Sequence, residues 1–342
     1  MKGNTMQAPF PWFGGKRKVA SEVWAALGDV DNYVEPFAGS LAVLLERPAW
    51  HTGKAETVND ADQYLANFWR ALSRDPDAVA YHADWPVNEA DLFARHMWLV
   101  NQGKTQLSAG MVDPDWYDAK IAGWWLWGIC QWIGSGWCSG GGPWSVQDRQ
   151  LVHLGDAGRG VNRQRVHLGN AGQGVNRKRV HLGNAGQGDG MPVNKALYGY
   201  MYQLAERLRG VRVVCGDWAR VVTNGALSYG ATVGVFLDPP YSDAANRDMT
   251  LYSVDSGTIA HDVREWCLAN GDNPRYRIVL AGYEDEHAAH MPPTWRAMNW
   301  KANASFQSSR ASGANQTNRH KERLWFSPHC IRVAPTLFEA AD

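Results

Sequence analysis

Val233-Gly234-Val235-Phe236-Leu237-Asp238-Pro239-Pro240-Tyr241 is an apolar run that stops at an acid, two prolines and a ring. A short run of this kind fits a strand buried on both faces of a parallel sheet. Each proline fixes its own φ and holds the residue before it extended, so the strand ends in a rigid, non-helical elbow. Ligands of open α/β sheets bind just beyond the carboxyl ends of the strands. There the Asp238 carboxylate, the Pro239 carbonyl and the Tyr241 ring can converge on one small planar group. Two acceptors and an aromatic face suit an amino group on a flat heterocycle. A surface turn with two prolines has the same four letters, so the flanking sequence must decide.

Outward from this elbow the chain alternates between strand and helix patterns. Toward the amino terminus, Asn32-Tyr33-Val34-Glu35-Pro36-Phe37 reads as a strand and 41–46 as a helix. A second strand around Glu56-Thr57-Val58 leads into a helix over 62–72. The pattern resumes with a helix over 195–209 and the strand Val211-Arg212-Val213-Val214-Cys215. Beyond the elbow come a helix over 259–269 and the strand Arg277-Ile278-Val279-Leu280-Ala281. Segments 295–301 and 321–326 alternate well enough to pair as a terminal hairpin. The expected fold is α/β: a doubly wound, mostly parallel sheet with an antiparallel edge.

The 342 residues are enough for one large domain plus an insertion, and 45% hydrophobic with 20% charged residues is a globular composition. No apolar run reaches the roughly 18 residues that cross a bilayer, and the start has no signal-peptide core. Cys130, Cys138, Cys215, Cys267 and Cys330 are odd in number and scattered. They predict reduced thiols in a cytoplasm, no zinc site and no other metal. Lys plus Arg (34) equals Asp plus Glu (34), so net charge names no partner; its distribution does.

Residues 76–194 differ from the rest and read as an insert between two parts of the sheet domain, 1–75 and 195–342. Seven of the eighteen tryptophans fall between Trp116 and Trp144, centred on a helical run at 121–133. A buried helix packing its rings explains them; stacking on bases is the other use. Three 14-residue repeats follow at 149–162, 163–176 and 177–190, sharing Val-His-Leu-Gly-Asn/Asp-Ala-Gly-Arg/Gln-Gly. Their short β-favouring runs and Gly/Asn turns suggest small strands joined by tight loops. Arg149, Arg159, Arg163, Arg165, Arg177, Lys178 and Arg179 face only Asp156 and Asp189, a net +5 in a neutral chain. Such a patch suits phosphates. A solvated Gly-rich loop, or an arm pairing two copies as a homodimer, are the rival uses.

Three strand ends describe a nucleoside pocket beside the elbow. In Glu35-Pro36-Phe37-Ala38-Gly39-Ser40 a ligand can approach the backbone at Gly39, where no side chain intervenes. The next helix start offers N–H groups to a carboxylate or phosphate. Asp60 ends the second strand, where an acid grips ribose hydroxyls in nucleoside-binding sheets. Asp217-Trp218 ends the third and offers an acceptor and a stacking ring for adenine. GxGxxG and a Walker lysine are both missing, which disfavours nicotinamide chemistry and nucleotide hydrolysis. Pro9-Phe10-Pro11-Trp12-Phe13-Gly14-Gly15-Lys16 adds rings, a flexible pair and a cation that could close one end of the pocket.

With these residues in view, the chain resembles the Dam-type DNA N6-adenine methyltransferases, the alpha group of amino-methyltransferases. Trp12-Phe13-Gly14-Gly15-Lys16 is similar to that family's N-terminal motif, and Glu35-Pro36-Phe37-Ala38-Gly39-Ser40 to its methionine-binding loop. Val58-Asn59-Asp60 matches the ribose-binding acid, and Asp217-Trp218 the acid and ring around the cofactor's adenine. Asp238-Pro239-Pro240-Tyr241 matches the catalytic motif and Lys321-Glu322-Arg323-Leu324-Trp325 the closing strand. The likeness covers about 8–75 and 195–328. Leu41 stands where the family usually has a second glycine, and the insert lacks the expected Phe-Asn-Gly.

The resemblance implies a Rossmann-like methyltransferase sheet with an inserted helical, Gly-rich target-recognition domain. It implies S-adenosyl-L-methionine held by Trp12, Lys16, residues 35–40, Asp60, Asp217 and Trp218. The methyl acceptor it implies is the N6 amino group of adenine in double-stranded DNA, reached by base flipping, with Asp238, Pro239, Pro240 and Tyr241 carrying the chemistry. Arg163, Arg165, Arg177, Lys178 and Arg179, with Arg310 and Arg319 of the polar stretch 303–320, are the expected DNA contacts. N4-cytosine or another planar amine is the alternative acceptor, and a catalytically silent DNA-binding protein the alternative class. The target sequence and any restriction-endonuclease partner are not legible.

Overall fold

The computed structural model describes residues 6–12, 14–48, 53–113, 115–132, 137–138, 144–147, 150–153, 193–240, 258–300 and 322–332. In chain order these form α1 (Ala20–Leu27), β1 (Asn32–Glu35), β2 (Ala55–Asp60), α2 (Gln63–Arg74), α3 (Pro76–Ala83), α4 (Glu89–Trp98), α5 (Lys104–Gly110) and α6 (Ala119–Ile129). Then follow β3 (Trp144–Gln147), β4 (Gln150–His153), α7 (Val193–Leu208), β5 (Val211–Cys215), β6 (Val233–Leu237), α8 (Ile259–Asn270), β7 (Tyr276–Tyr283), β8 (Arg296–Asn299) and β9 (Glu322–Phe326). The chain divides into two compact units.

One unit, from described residues within 14–60, 210–240 and 258–332, holds a seven-stranded sheet in the order β5-β2-β1-β6-β7-β9-β8. β5, β2, β1, β6 and β7 run parallel, with Val34 opposite both Thr57 and Val235. β9 runs antiparallel to β7, and β8 antiparallel to β9, which is the edge hairpin expected from the alternation in 295–326. β1 and β6 are central and buried along their whole length, which explains why neither alternates. Val34, Val235, Leu237, Ile278, Leu280 and Trp325 join Val263 and Cys267 of α8 in one core. At roughly 1.5–3 kcal/mol per large apolar side chain buried, this core dominates the unit's stability.

The helix expected over 41–46 is reduced to one 3₁₀ turn, Leu44–Glu46. The cause is local: Leu41 adopts φ 55°, outside the helical range, and Pro48 closes the other end. Leu41 is fully buried, and that burial outweighs the roughly 1–2 kcal/mol that a left-handed backbone costs a residue with a Cβ. The position where the resembled family usually has a second glycine therefore has glycine-like geometry, held by a buried leucine.

The second unit, from described residues within 6–12 and 61–209, is helical. Helices α2 and α7, which the sequence groups with the sheet, lie here. The Asp62 carboxylate accepts from Tyr64 N–H at 2.8 Å and starts α2, and Asp118 accepts from Ile121 N–H at 2.7 Å and starts α6. Buried Asn67 donates to the Asp118 carbonyl and accepts from Asp118 N–H, both at 2.9 Å, pinning α2 to the head of α6. Phe10, Phe68, Trp69 and Trp125 pack ring on ring with centroids 4.8–5.6 Å apart, so this part of the tryptophan-rich run is core. β3 and β4 form a separate antiparallel pair with Trp144 opposite His153. Val152 and His153 of the first repeat thus lie in a short strand; the other two repeats fall outside the described residues.

Candidate active site

In the sheet unit the strand order reverses at β1: β2 and then β5 lie on one side of it, and β6 on the other. Ligands bind at such a switch point, beyond the carboxyl ends. β1 runs out through Pro36 and Phe37, β2 through Asp60, β5 through Gly216-Asp217-Trp218 and β6 through Asp238.

Asn59 ties three of these ends together. Its side-chain amide donates to the Pro36 carbonyl at 2.9 Å and the Gly216 carbonyl at 3.0 Å, and its own carbonyl accepts from Ala38 N–H at 2.9 Å. The residue is 1% exposed. Sequence reading passes over it as part of a matched motif. Its signal is an amide one residue before the end of a strand buried over 56–59, where Asn is unfavourable unless a buried acceptor needs it.

Asp60, half-buried at the end of β2, accepts from Gly39 N–H at 3.0 Å. Gly39 has φ 48°, where a side chain would add strain, so the loop stays bare at that point. Glu35 is 2% exposed and accepts the Tyr33 hydroxyl at 2.9 Å; burial, then Glu35, push that phenol far above its ordinary range. Ala38 and Ser40 are buried in the same loop. The Phe37 and Trp218 rings stack with centroids 6.0 Å apart and planes 30° apart. Asp217 is exposed, and its carboxylate caps the turn that follows by accepting from Ala219 N–H at 2.8 Å.

Asp238 begins the elbow. Lys16 Nζ lies 2.9 Å from its Oδ1, 3.0 Å from the Gly14 carbonyl and 4.0 Å from Glu322 Oε2. The Asp238 side chain keeps 20% of its surface exposed, against 4% for Lys16. Burial pushes the Asp238 carboxyl above its ordinary range, and the Lys16 ammonium opposes that shift. Desolvation works to lower Lys16, but Asp238 and Glu322 outweigh it and hold the amine above its ordinary value. The resemblance gives Lys16, in the N-terminal motif, to the cofactor; its ion pairs here are with Asp238 and Glu322. Pro239 is buried and Pro240 half-buried. Trp12 belongs to the helical unit, where its ring packs on Phe10 and Trp125.

Tyr241 lies outside the described residues, as do Arg163, Arg165, Arg177, Lys178, Arg179, Arg310 and Arg319. Among the described residues no helix is long and apolar enough to cross a membrane, and no His, Cys, Asp and Glu cluster could hold a metal ion.

A seven-stranded, mostly parallel sheet with an antiparallel edge, carrying the Gly39 loop, Asp60, the Phe37–Trp218 ring pair and the acid–proline elbow at neighbouring strand ends, is consistent with a Rossmann-like methyltransferase fold. Residues 12–99 match the family described as D12 class N6 adenine-specific DNA methyltransferase. That match, over about a quarter of the chain, supports a Dam-type adenine methyltransferase and indicates an enzyme. No curated protein matches the chain.

Proposed function

We propose that the protein transfers a methyl group from S-adenosyl-L-methionine to the N6 amino group of adenine in duplex DNA, after flipping the base out of the helix. The observation that carries the reading is the placement of Asp238, part-exposed and ion-paired, at the switch point one strand from the Gly39–Asp60 loop.

The residues present fit the cofactor. Asp60 offers a carboxylate for ribose hydroxyls, the Phe37–Trp218 pair a ring surface for a flat base, and the loop at Gly39 no side-chain obstruction. When bound there, S-adenosyl-L-methionine supplies the methyl group. The chain's own residues do the rest. Extruding the adenine costs a few kcal/mol, and stacking on Tyr241 would recover roughly 1–3 kcal/mol of that. The amine's lone pair is delocalised into the ring. Hydrogen bonds from its two N–H groups to the Asp238 carboxylate and the Pro239 carbonyl localise electron density on nitrogen and aim it; the nitrogen gains the methyl as the methyl–sulfur bond breaks and then gives up one proton, to Asp238 or to water. This is orientation and electrostatic stabilisation with no covalent enzyme intermediate.

Duplex DNA incubated with the protein and methyl-tritiated S-adenosyl-L-methionine should become labelled. Asp238→Ala should abolish labelling while leaving cofactor affinity within about twofold, because Asp238 acts on the acceptor amine. Asp60→Ala should instead weaken cofactor binding, since a sugar hydroxyl loses a charged acceptor. Unlabelled DNA with the wild-type protein would return the chain to the class of silent DNA-binding relatives.

A further inference from the structure

The neighbourhood of Lys16 holds a second carboxylate that the reaction as described does not use. Glu322 stands opposite Tyr283 in the antiparallel register of β9 on β7, so the strand pairing fixes where its carboxylate emerges. Its side chain is 11% exposed and lies 4.0 Å from Lys16 Nζ, which also meets Asp238 at 2.9 Å. Tyr283 also faces Lys16 electrostatically, and the Trp300 ring lies 5.6 Å from the ammonium. Arg323, the next residue of β9, pairs with Glu284 at 2.6 Å. Elements from both ends of the chain thus converge on one ammonium.

Resting on the proposed function, we infer that Glu322 and Lys16 are positioning residues for Asp238: Glu322 keeps Lys16 a cation, and Lys16 holds Asp238 Oδ1 so that Oδ2 meets the amine as a carboxylate. The physical need is specific. A desolvated Lys–Asp pair alone can relax to a neutral pair by moving one proton from the amine to the carboxyl, because burial disfavours both charges. A protonated Asp238 would then present a hydroxyl donor where the target amine needs an acceptor. A second carboxylate raises the cost of deprotonating Lys16 and so blocks that transfer. The directions of the shifts agree: burial raises Asp238 against Lys16's opposition, while Asp238 and Glu322 overcome the desolvation of Lys16.

The signs follow. Asp238 loses its acceptor form as pH falls, giving kcat an acid limb; Lys16 loses its charge as pH rises, giving an alkaline limb. Lys16→Met removes the cation that opposes the rise of Asp238, and should move the acid limb up by about one pH unit or more. Glu322→Gln, which keeps the shape, should move the alkaline limb down and leave the acid limb nearly in place. S-adenosyl-L-methionine binding, read by calorimetry, should be unchanged in Glu322→Gln, which also reports an intact fold. A fall in kcat at every pH with both limbs fixed would make Glu322 merely structural and overturn the inference. A rise in the cofactor's KM with Lys16→Met and fixed limbs would make Lys16 a cofactor ligand instead. A nitrogen-15 NMR titration of the Lys16 amine needs no turnover: Glu322→Gln should lower its titration point. An unmoved titration point sinks the relay, whereas absent methylation by wild type with a shifted one sinks only the proposed reaction.

Discussion

At the scale of single residues, the proposed site positions depend on neighbours that hold backbone in place. Asn59 is the clearest case, bonded to two carbonyls from two other strand ends. Asn59→Ala leaves those buried acceptors without their donor, and should cost about 1–3 kcal/mol in unfolding free energy by urea titration. Cofactor affinity should fall with it, because the loop carrying Gly39 and the turn carrying Trp218 lose their common tie. A variant with wild-type stability and affinity would remove Asn59 from the account. Much at this scale was legible. Asp238-Pro239-Pro240 declared its elbow because the proline constraint is local, and Asp60 declared itself by ending a strand. Leu41 was not legible: its positive φ is imposed by the fold, and nothing in a leucine advertises it. Nor was the Lys16–Asp238–Glu322 cluster, because a contact between distant segments depends on register that composition does not carry.

At the scale of elements, the apolar strands were readable from their lack of alternation, and the hairpin of β8 and β9 from its presence. The helical unit was harder, because a tryptophan-rich run has the same letters whether it binds bases or fills a core. Trp125 takes part in the ring cluster with Phe10, Phe68 and Trp69, and Trp127 donates to the Trp85 carbonyl at 2.9 Å. Gly123 shows how closely α6 approaches α3: a Cβ there would meet His82 and lie 2.7 Å from the Val79 carbonyl oxygen. Gly123→Ala gains about 1 kcal/mol in helix propensity, but backbone must move to admit the methyl, at about 1–3 kcal/mol. The net expectation is a less stable helical unit, seen as a lower midpoint in thermal unfolding. A higher midpoint would mean that α3 and α6 yield readily.

At the scale of the whole molecule, a neutral chain carries a local excess of +5 within 149–190. If several of those cations meet phosphates, log affinity for DNA should fall with log salt at a slope of about −0.9 per contact. Deleting 163–190 should flatten that slope and raise the DNA concentration needed for half-maximal methylation. S-adenosyl-L-methionine binding should survive, since its proposed ligands lie elsewhere in the chain. An unchanged slope together with a halved sedimentation mass would reassign the repeats to pairing two copies.

On the proposed function, the elbow at Asp238 carries methylation of the N6 amine of adenine in DNA. This is tested most directly by digesting enzyme-treated DNA to nucleosides and identifying the methylated one by mass spectrometry. N6-methyldeoxyadenosine should accumulate with the wild-type protein and be absent with Asp238→Ala. N4-methyldeoxycytidine in its place, or an equal yield of N6-methyldeoxyadenosine from the variant, would contradict the account.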